Sequence, residues 1–197
     1  ASGSRAFFFL CLALEAYANM SAENAVLFFQ GLFLQSVFIT LFSASSYLRF
    51  ASGVAAGGSI YGHILYCLVG GGLSLLCFSL FLPQPLFYQC LVFGAVCVAI
   101  SGSIVGMLVR DGNVMLAFLP STIVAGLFCI FLFFTSFSDV NVFLLCVVGF
   151  QIVSFGLLVA VWWGGRDPES QAKGVLNGLL EQLKISLGIG SVNTLTV

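Results

Sequence analysis

The stretch LFYQCLVFGAVCVAISGSIVGMLVRDG, residues 86–112, runs from Leu86 to Val109 without a charged residue. The hydrocarbon core of a bilayer is about 30 Å thick, and a helix needs about 20 apolar residues to cross it. The run is therefore long enough for a membrane-spanning helix. The residues that follow it, Arg110 to Gly112, form an RDG sequence that predicts a turn.

The rest of the chain has the same character as this stretch. Of its 197 residues, 60% are hydrophobic, only 7% are charged, and 22 are phenylalanine. Such a small number of charged residues cannot cover the surface of a soluble domain of this size, which means that lipid must surround the chain. The sequence therefore predicts an all-α integral membrane protein. The net charge of -1 and the lack of a Lys/Arg cluster exclude a nucleic acid as partner.

Turn-forming residues divide the chain into apolar runs of spanning length. PQP at 83–85, SFSD ending at Asp139 and GGRDPES after Trp163 mark breaks. These breaks predict six transmembrane helices and the start of a seventh, with the six at residues 5–21, 24–48, 60–82, 86–109, 114–136 and 140–163. The six form a bundle over 1–163, followed by a linker over 164–175. An amphipathic helix over 176–197 then enters the seventh span, where we expect a longer protein to continue.

The basic residues predict which side of the membrane each end faces. With alternating spans, all six fall on one side: Arg5, Arg49, Arg110, Arg166, Lys173 and Lys184. Cytoplasmic loops carry an excess of Lys and Arg, so the N-terminus and the 164–175 linker are predicted to be cytoplasmic. At that side we interpret Arg49 as an anchor that ends span two, and Trp162 and Trp163 as members of the aromatic belt.

Polar side chains in the second predicted span form a stripe. The stripe recurs at helical spacing and consists of Ser36, Thr40, Ser43 and Tyr47. Its members share a face that either hydrogen-bonds a neighbouring helix or lines a wet cavity. Gln30 and Gln35 are costlier to leave unpaired in lipid, so both are expected to face protein or water. The two glutamines do not lie on one face, so at most one of them shares a cavity with the stripe.

The first predicted span carries a second polar group. Arg5, Glu15 and Asn19 fall within an arc of roughly 80° of the helix. A carboxylate inside a membrane is costly and usually serves a transport pathway, a proton or a partner. Two interpretations stay open for Glu15, an intramembrane functional group or a carboxylate near the outer surface. Arg5 is either a cytoplasmic anchor or an arginine inside the span.

Catalytic and metal chemistry find no support in the sequence. The seven cysteines are scattered through apolar runs, without a CxxC motif or a nearby histidine cluster, which favours inert core residues. No phosphate-binding loop, metal-ligand set or Ser/His/Asp arrangement is present. The sequence therefore predicts a protein that is not an enzyme and has no cofactor.

Three stretches carry a resemblance to a known family. They are NMSAENAVLFFQGLFLQSVFITLFSASSYLRFASG at 19–53, GMLVRDGNV at 106–114 and LNGLLEQLKISLGIGSVNTLTV at 176–197. In them the chain resembles the N-terminal half of a polysaccharide or lipid-linked oligosaccharide flippase of the multidrug/oligosaccharidyl-lipid/polysaccharide exporter superfamily. The matching features are a short acidic turn after span one, a long polar second span with a closing arginine, and an interfacial approach to span seven.

The resemblance implies a fold, a function and a site. The fold would be one repeat of a two-repeat, six-plus-six helix bundle that transports a lipid-linked oligosaccharide across the cytoplasmic (inner) membrane by alternating access. Arginine would hold the pyrophosphate of a polyprenyl-linked glycan, and the carboxylate would couple H⁺ or Na⁺. Besides membrane lipids and this glycan, a glycan polymerase or other assembly protein would be a partner. The cavity candidates are Arg5, Glu15, Asn19, Gln30, Ser36, Thr40 and Ser43.

Two other functions remain open at this point. A drug/cation antiporter of the same superfamily would rely on Glu15 and an aromatic cavity. A membrane scaffold subunit without transport activity would use the stripe on span two for helix packing. A second set of spans after Val197 would favour transport over the scaffold.

Overall fold

The computed structural model describes residues 2–43, 46–52, 59–81 and 85–164. Every regular element in these ranges is an α-helix, as the composition predicts. The helices are α1 (Ser2–Asn19), α2 (Ala22–Ser43), α3 (Ser46–Ala51), α4 (Ser59–Phe81), α5 (Pro85–Arg110), α6 (Val114–Phe134) and α7 (Val140–Trp163). The predicted 164–175 linker, apart from Gly164, and the predicted 176–197 helix lie outside the described residues.

Five stretches of the described chain are long and apolar enough to cross a membrane. They are Ala22–Ala51, which joins α2 and α3, and then Ile60–Leu80, Phe87–Arg110, Val114–Phe134 and Val140–Trp163. The all-α membrane fold is therefore confirmed at the level of several apolar helices, as expected for a multi-pass membrane protein. Helix α1 is present but is not among the five, so the count of six spans stays a prediction.

Helix α5 lies at the centre of the bundle. It packs against α2, α3, α4, α6 and α7. Small residues let these neighbours approach: a Cβ on Gly106 would lie 2.6 Å from the Tyr47 carbonyl oxygen and 3.2 Å from the Ala51 nitrogen of α3. Gly71 of α4 likewise faces Val96, where a Cβ would lie 2.6 Å from a Val96 methyl group. Close backbone approach of this kind is how helices associate in lipid, where the hydrophobic effect does not drive them together.

Phenylalanines fill the core where α2, α6 and α7 meet. The rings of Phe128 and Phe150 have centroids 4.1 Å apart, and those of Phe28 and Phe143 are 4.7 Å apart. Phe137, in the connector between α6 and α7, adds its ring 5.3 Å from Phe143. Because lipid tails are as apolar as these side chains, the gain comes from dispersion contacts between well-fitted rings.

The helix ends form as the turn-forming residues predict. After α5, Gly112 has a φ of 81°, a left-handed conformation that glycine adopts without strain. There the Asn113 N–H donates to the Leu108 carbonyl at 2.8 Å. At the start of α7, Asp139 Oδ1 accepts a hydrogen bond from the Asn141 N–H at 2.7 Å and so caps the helix.

The described basic side chains lie at one end of the bundle, where Arg110 also pairs with Asp111 at 3.2 Å. Arg49 lies in the last turn of α3, which packs on α5 near Gly106, and Arg110 ends α5. At the other end, Glu15 and Asn24 contact the connector that precedes Asp139. Basic residues at one end of a membrane bundle are the pattern expected for alternating spans. Which end faces the cytoplasm remains a prediction.

Candidate functional site

One side of α2 is turned away from the rest of the bundle. We call this surface the α2 outer face, defined by the exposed residues Val26, Phe29, Gln30, Phe33, Ser36, Val37, Thr40 and Leu41. Three of the predicted cavity residues are on it, Gln30, Ser36 and Thr40. In a bilayer this face meets lipid, water or another protein.

The two hydroxyl groups of the α2 outer face are hydrogen-bonded within their own helix. Ser36 Oγ donates to the Phe33 carbonyl at 2.7 Å, and Thr40 Oγ1 donates to the Ser36 carbonyl at 2.9 Å. Such bonds satisfy a hydroxyl donor wherever the helix face points. Because neither hydroxyl contacts a neighbouring helix, Ser36 and Thr40 do not join α2 to the rest of the described bundle.

Gln30 and Gln35 have opposite environments. Gln30 is exposed, and its side-chain amide has no hydrogen-bond partner among the residues that the structure describes. Gln35 is 3% exposed and points into the bundle. The expectation that the two glutamines lie on different faces is confirmed, and Gln30 is the one that shares the outward side with the stripe.

Gln35 forms a reciprocal amide pair with Gln151 of α7. Gln35 Nε2 donates to Gln151 Oε1 at 3.0 Å, and Gln151 Nε2 donates back to Gln35 Oε1 at 3.4 Å. Gln35 Nε2 also lies 3.4 Å from the Leu91 carbonyl of α5. A Cβ added to Gly94 would collide with both Gln151 Oε1 and Gln35 Nε2, so this glycine provides the space for the pair.

Glu15 holds the connector between α6 and α7. The Phe137 backbone N–H donates to Glu15 Oε1 at 3.0 Å, and Asn24 Nδ2 donates to the Ser138 carbonyl at 3.1 Å. The connector therefore has a polar contact from α1 and another from the start of α2. A charged acceptor on a backbone N–H is a strong hydrogen bond, so Glu15 has a structural partner in addition to the role predicted for it.

A histidine and a cysteine meet inside the bundle near the first turn of α4. His63 Nε2 lies 3.5 Å from Cys67 Sγ, and both side chains are buried. Cys67 Sγ also lies 3.7 Å from the Phe42 carbonyl, and the Phe50 ring lies beside the imidazole, with ring centroids 6.3 Å apart. These contacts join α4 to α2 and α3. Across the described residues, no three His, Cys, Asp or Glu side chains gather as a metal site.

The remaining predicted residues are placed as follows. Asn19 is exposed at the end of α1, and Ser43 is half-buried at the end of α2. Arg5 belongs to α1, but its side chain lies outside the described residues. The two tryptophans assigned to the aromatic belt differ, because Trp163 is 68% exposed whereas Trp162 is 5% exposed and packs in the core beside Tyr61.

Gln151 and Gly94 take part in these contacts but were not among the predicted site residues. Gln151 is a large amide in the middle of an apolar run, a signal that marks a costly group and therefore a paired one. Gly94 carries no such signal, because a glycine in a membrane helix is common and only the neighbouring side chains reveal its purpose.

Comparisons with protein-family models, with curated proteins and with solved structures find no match for this chain.

Proposed function

We propose that this chain is one helical half of an alternating-access transporter for a lipid-linked oligosaccharide. The observation that carries the proposal is the outward placement of Ser36 and Thr40 near the middle of the Ala22–Ala51 stretch. In repeat-built transporters the substrate site lies near the bilayer midplane, at the interface between two halves. A mid-span polar face turned away from its own bundle suits the wall of such a cavity.

The chemistry of this face suits a glycan. It combines hydroxyl and amide groups with exposed phenylalanine rings and carries no charge between Glu23 and Arg49. Neutral polar groups beside aromatic faces can contact sugar hydroxyls and sugar C–H groups without binding a free ion tightly. The polyprenyl tail of the substrate would stay in lipid while the glycan crosses along the face. The resemblance of residues 19–53 to the flippases is the further support.

Two other functions each have one observation in their favour. A scaffold subunit is favoured by the bonding of both hydroxyls within α2, since groups satisfied in this way also tolerate a packed interface.

A drug/cation antiporter would use Glu15 as its cation site, and the half-buried position of that carboxylate suits the role. The bond from the Phe137 N–H leaves Glu15 further acceptor capacity for a cation.

The first experiment measures whether water reaches the α2 outer face. Ser36→Cys and Thr40→Cys are treated in membrane vesicles with a charged, membrane-impermeant thiol reagent, and labelled sites are located by mass spectrometry. The matched control is Leu73→Cys on α4, which is 59% exposed and also lies mid-span. We expect the two α2 cysteines to react and the α4 cysteine to stay unlabelled. The absence of labelling at all three positions would contradict the proposed cavity.

The second experiment tests the substrate. Proteoliposomes carry a fluorescent polyprenyl-pyrophosphate-linked sugar, and an impermeant quencher reports how much of it reaches the outer leaflet. Protein-dependent exchange is expected, with Ser36→Trp abolishing it and Leu73→Trp leaving it unchanged. Exchange no faster than in empty vesicles, when the vesicles contain both halves of the transporter, would exclude the lipid-linked glycan as substrate.

A further inference from the structure

Gln30 is the polar group of the α2 outer face that the described structure leaves unsatisfied. The hydroxyls beside it bond within their own helix, whereas the Gln30 amide is exposed without a partner among the described residues. It lies about 9 Å along the helix axis from Ser36, at about 1.5 Å per residue, and so inside a hydrocarbon core of about 30 Å. An amide at that depth favours contact with water or with another protein.

We propose that Gln30 binds Gln30 of a second copy of this chain, so that two α2 helices pack around a two-fold axis normal to the membrane. A glutamine amide carries both donors and an acceptor, so it can pair with an identical group in a symmetric contact. The face carries no charge between Glu23 and Arg49, which disfavours a charged partner helix. A neutral, self-complementary surface matches a second copy of itself.

The bundle contains the same bonding pattern inside. Gln35 and Gln151 exchange hydrogen bonds at 3.0 and 3.4 Å between two membrane helices. This pair shows that the spacing between packed helices of this chain accommodates a reciprocal glutamine contact.

Apolar side chains around Gln30 complete the contact surface. Val26, Phe33 and Val37 lie one turn before Gln30, one turn after it and two turns after it, and all three are exposed, Phe33 at 71%. Residues at these spacings form one continuous strip on a helix. A parallel copy of α2 would bury this strip together with the amide.

The pairing leaves part of the α2 outer face open. Gln30 and Ser36 lie at opposite edges of the face, about 120° apart at about 100° per residue. Contact at Gln30 therefore leaves Ser36 open to the space beside the paired helices, whereas Thr40, three residues after Val37, lies at the border of the buried strip. The inference rests on the proposed function only for this role of the dimer, because association itself is measured independently of transport.

The test is association of the full chain in lipid vesicles, measured by energy transfer between donor- and acceptor-labelled copies at varied protein-to-lipid ratios. Gln30→Leu removes the amide and is expected to weaken association about tenfold, whereas Gln30→Asn keeps most of it. Gln89→Leu, which removes a half-buried amide on α5 that bonds to Ser79 at 2.7 Å, is the control and should leave association unchanged. Circular dichroism verifies that each variant is folded.

Cysteine cross-linking then locates the contact. Phe33→Cys is expected to give an oxidised dimer, and Leu73→Cys on α4 is not, with the unmodified chain giving the background from its own cysteines. A monomer at every protein-to-lipid ratio, or equal association of Gln30→Leu and the unmodified chain, would overturn the inference. If the chain associates but Ser36→Cys is not labelled, the dimer is supported and the proposed transport cavity is not.

Discussion

At the scale of single residues, the Gln35–Gln151 pair shows how this bundle carries a buried polar group. Each amide supplies the donor that the other needs, and the Leu91 carbonyl lies within reach of the same Gln35 nitrogen. An amide without a partner in an apolar interior would cost several kcal/mol on transfer scales, about 2–7. The pair therefore fixes α2 against α7 at one rotational position as well as one depth.

Gly94→Ala should break this arrangement. The added methyl group would collide with both amides, and overpacking of this kind costs about 1–3 kcal/mol in the free energy of unfolding. Gly102→Ala on the same helix is the matched control, because a Cβ there meets nothing within 4 Å. Unfolding in mixed micelles by increasing SDS measures both variants. Equal stability of the two would show that the amides move aside at no cost.

The strength of the amide pair follows from a double-mutant cycle. Gln35→Leu and Gln151→Leu should each destabilise the bundle, and the double variant should lose no more than the worse single one, giving a coupling of about 0.6–1.7 kcal/mol. Gln30→Leu paired with Gln151→Leu is the control cycle, since Gln30 points outward. That cycle should give no coupling in monomeric protein. Additive losses for Gln35 and Gln151 would contradict a direct bond.

Residues differ in how far the sequence predicts their role. The cost of an amide in lipid predicts that Gln35 is paired, and it is, but the position of its partner depends on how α2 and α7 rotate against each other. The stripe at Ser36 and Thr40 could be predicted from helical spacing alone. Whether the stripe points inward or outward could not, because residues that face lipid and residues that face protein are equally apolar in this chain.

At the scale of elements, the short connector at 135–139 depends on a helix distant in sequence. Its backbone is extended at Thr135 and Asp139, and its Phe137 N–H donates to Glu15 of α1. A backbone donor at the end of a membrane bundle needs such an acceptor or water. Glu15 therefore joins α1 to the α6–α7 hairpin, and Asn24 adds the start of α2 to the same contact.

Glu15→Ala should release this connector. A hydrogen bond to a charged group contributes about 1.5–3 kcal/mol, so amide exchange at Phe137 should become at least about tenfold faster. Hydrogen–deuterium exchange with mass spectrometry over residues 135–139 measures it. Glu23→Ala, which changes an exposed carboxylate in the first turn of α2, should leave the exchange unchanged. An unaltered rate in Glu15→Ala would mean that the bond is dispensable for the connector.

The helices themselves were largely predictable, and their packing order was not. Apolar length and breakers such as Pro85 and Gly112 place the bounds of α4 to α7 within a few residues of the predicted spans. The central position of α5 follows instead from small residues such as Gly94 and Gly106, which admit neighbouring helices on more than one side. A hydropathy pattern contains no such information, since a central helix and a peripheral one are both apolar.

At the scale of the whole molecule, the ends of the bundle differ in charge, and this difference predicts its orientation. Arg49 and Arg110 lie at one end, together with exposed Trp163, whereas Glu15 and Asp139 lie at the other. Lys and Arg are retained on the cytoplasmic side during insertion. The end with Arg49 should therefore face the cytoplasm.

Impermeant maleimide labelling of intact cells tests this orientation. Ser138→Cys, in the connector beside Glu15, should be labelled from outside, whereas Ser52→Cys and Asn113→Cys should be labelled only after the membrane is permeabilised. All three positions are exposed at helix ends, so they differ in side rather than in access. The reverse pattern would invert the topology and would place Arg49 and Arg110 outside. Because α2 would then run in the opposite direction, the Gln30 contact would lie on the cytoplasmic side of Ser36.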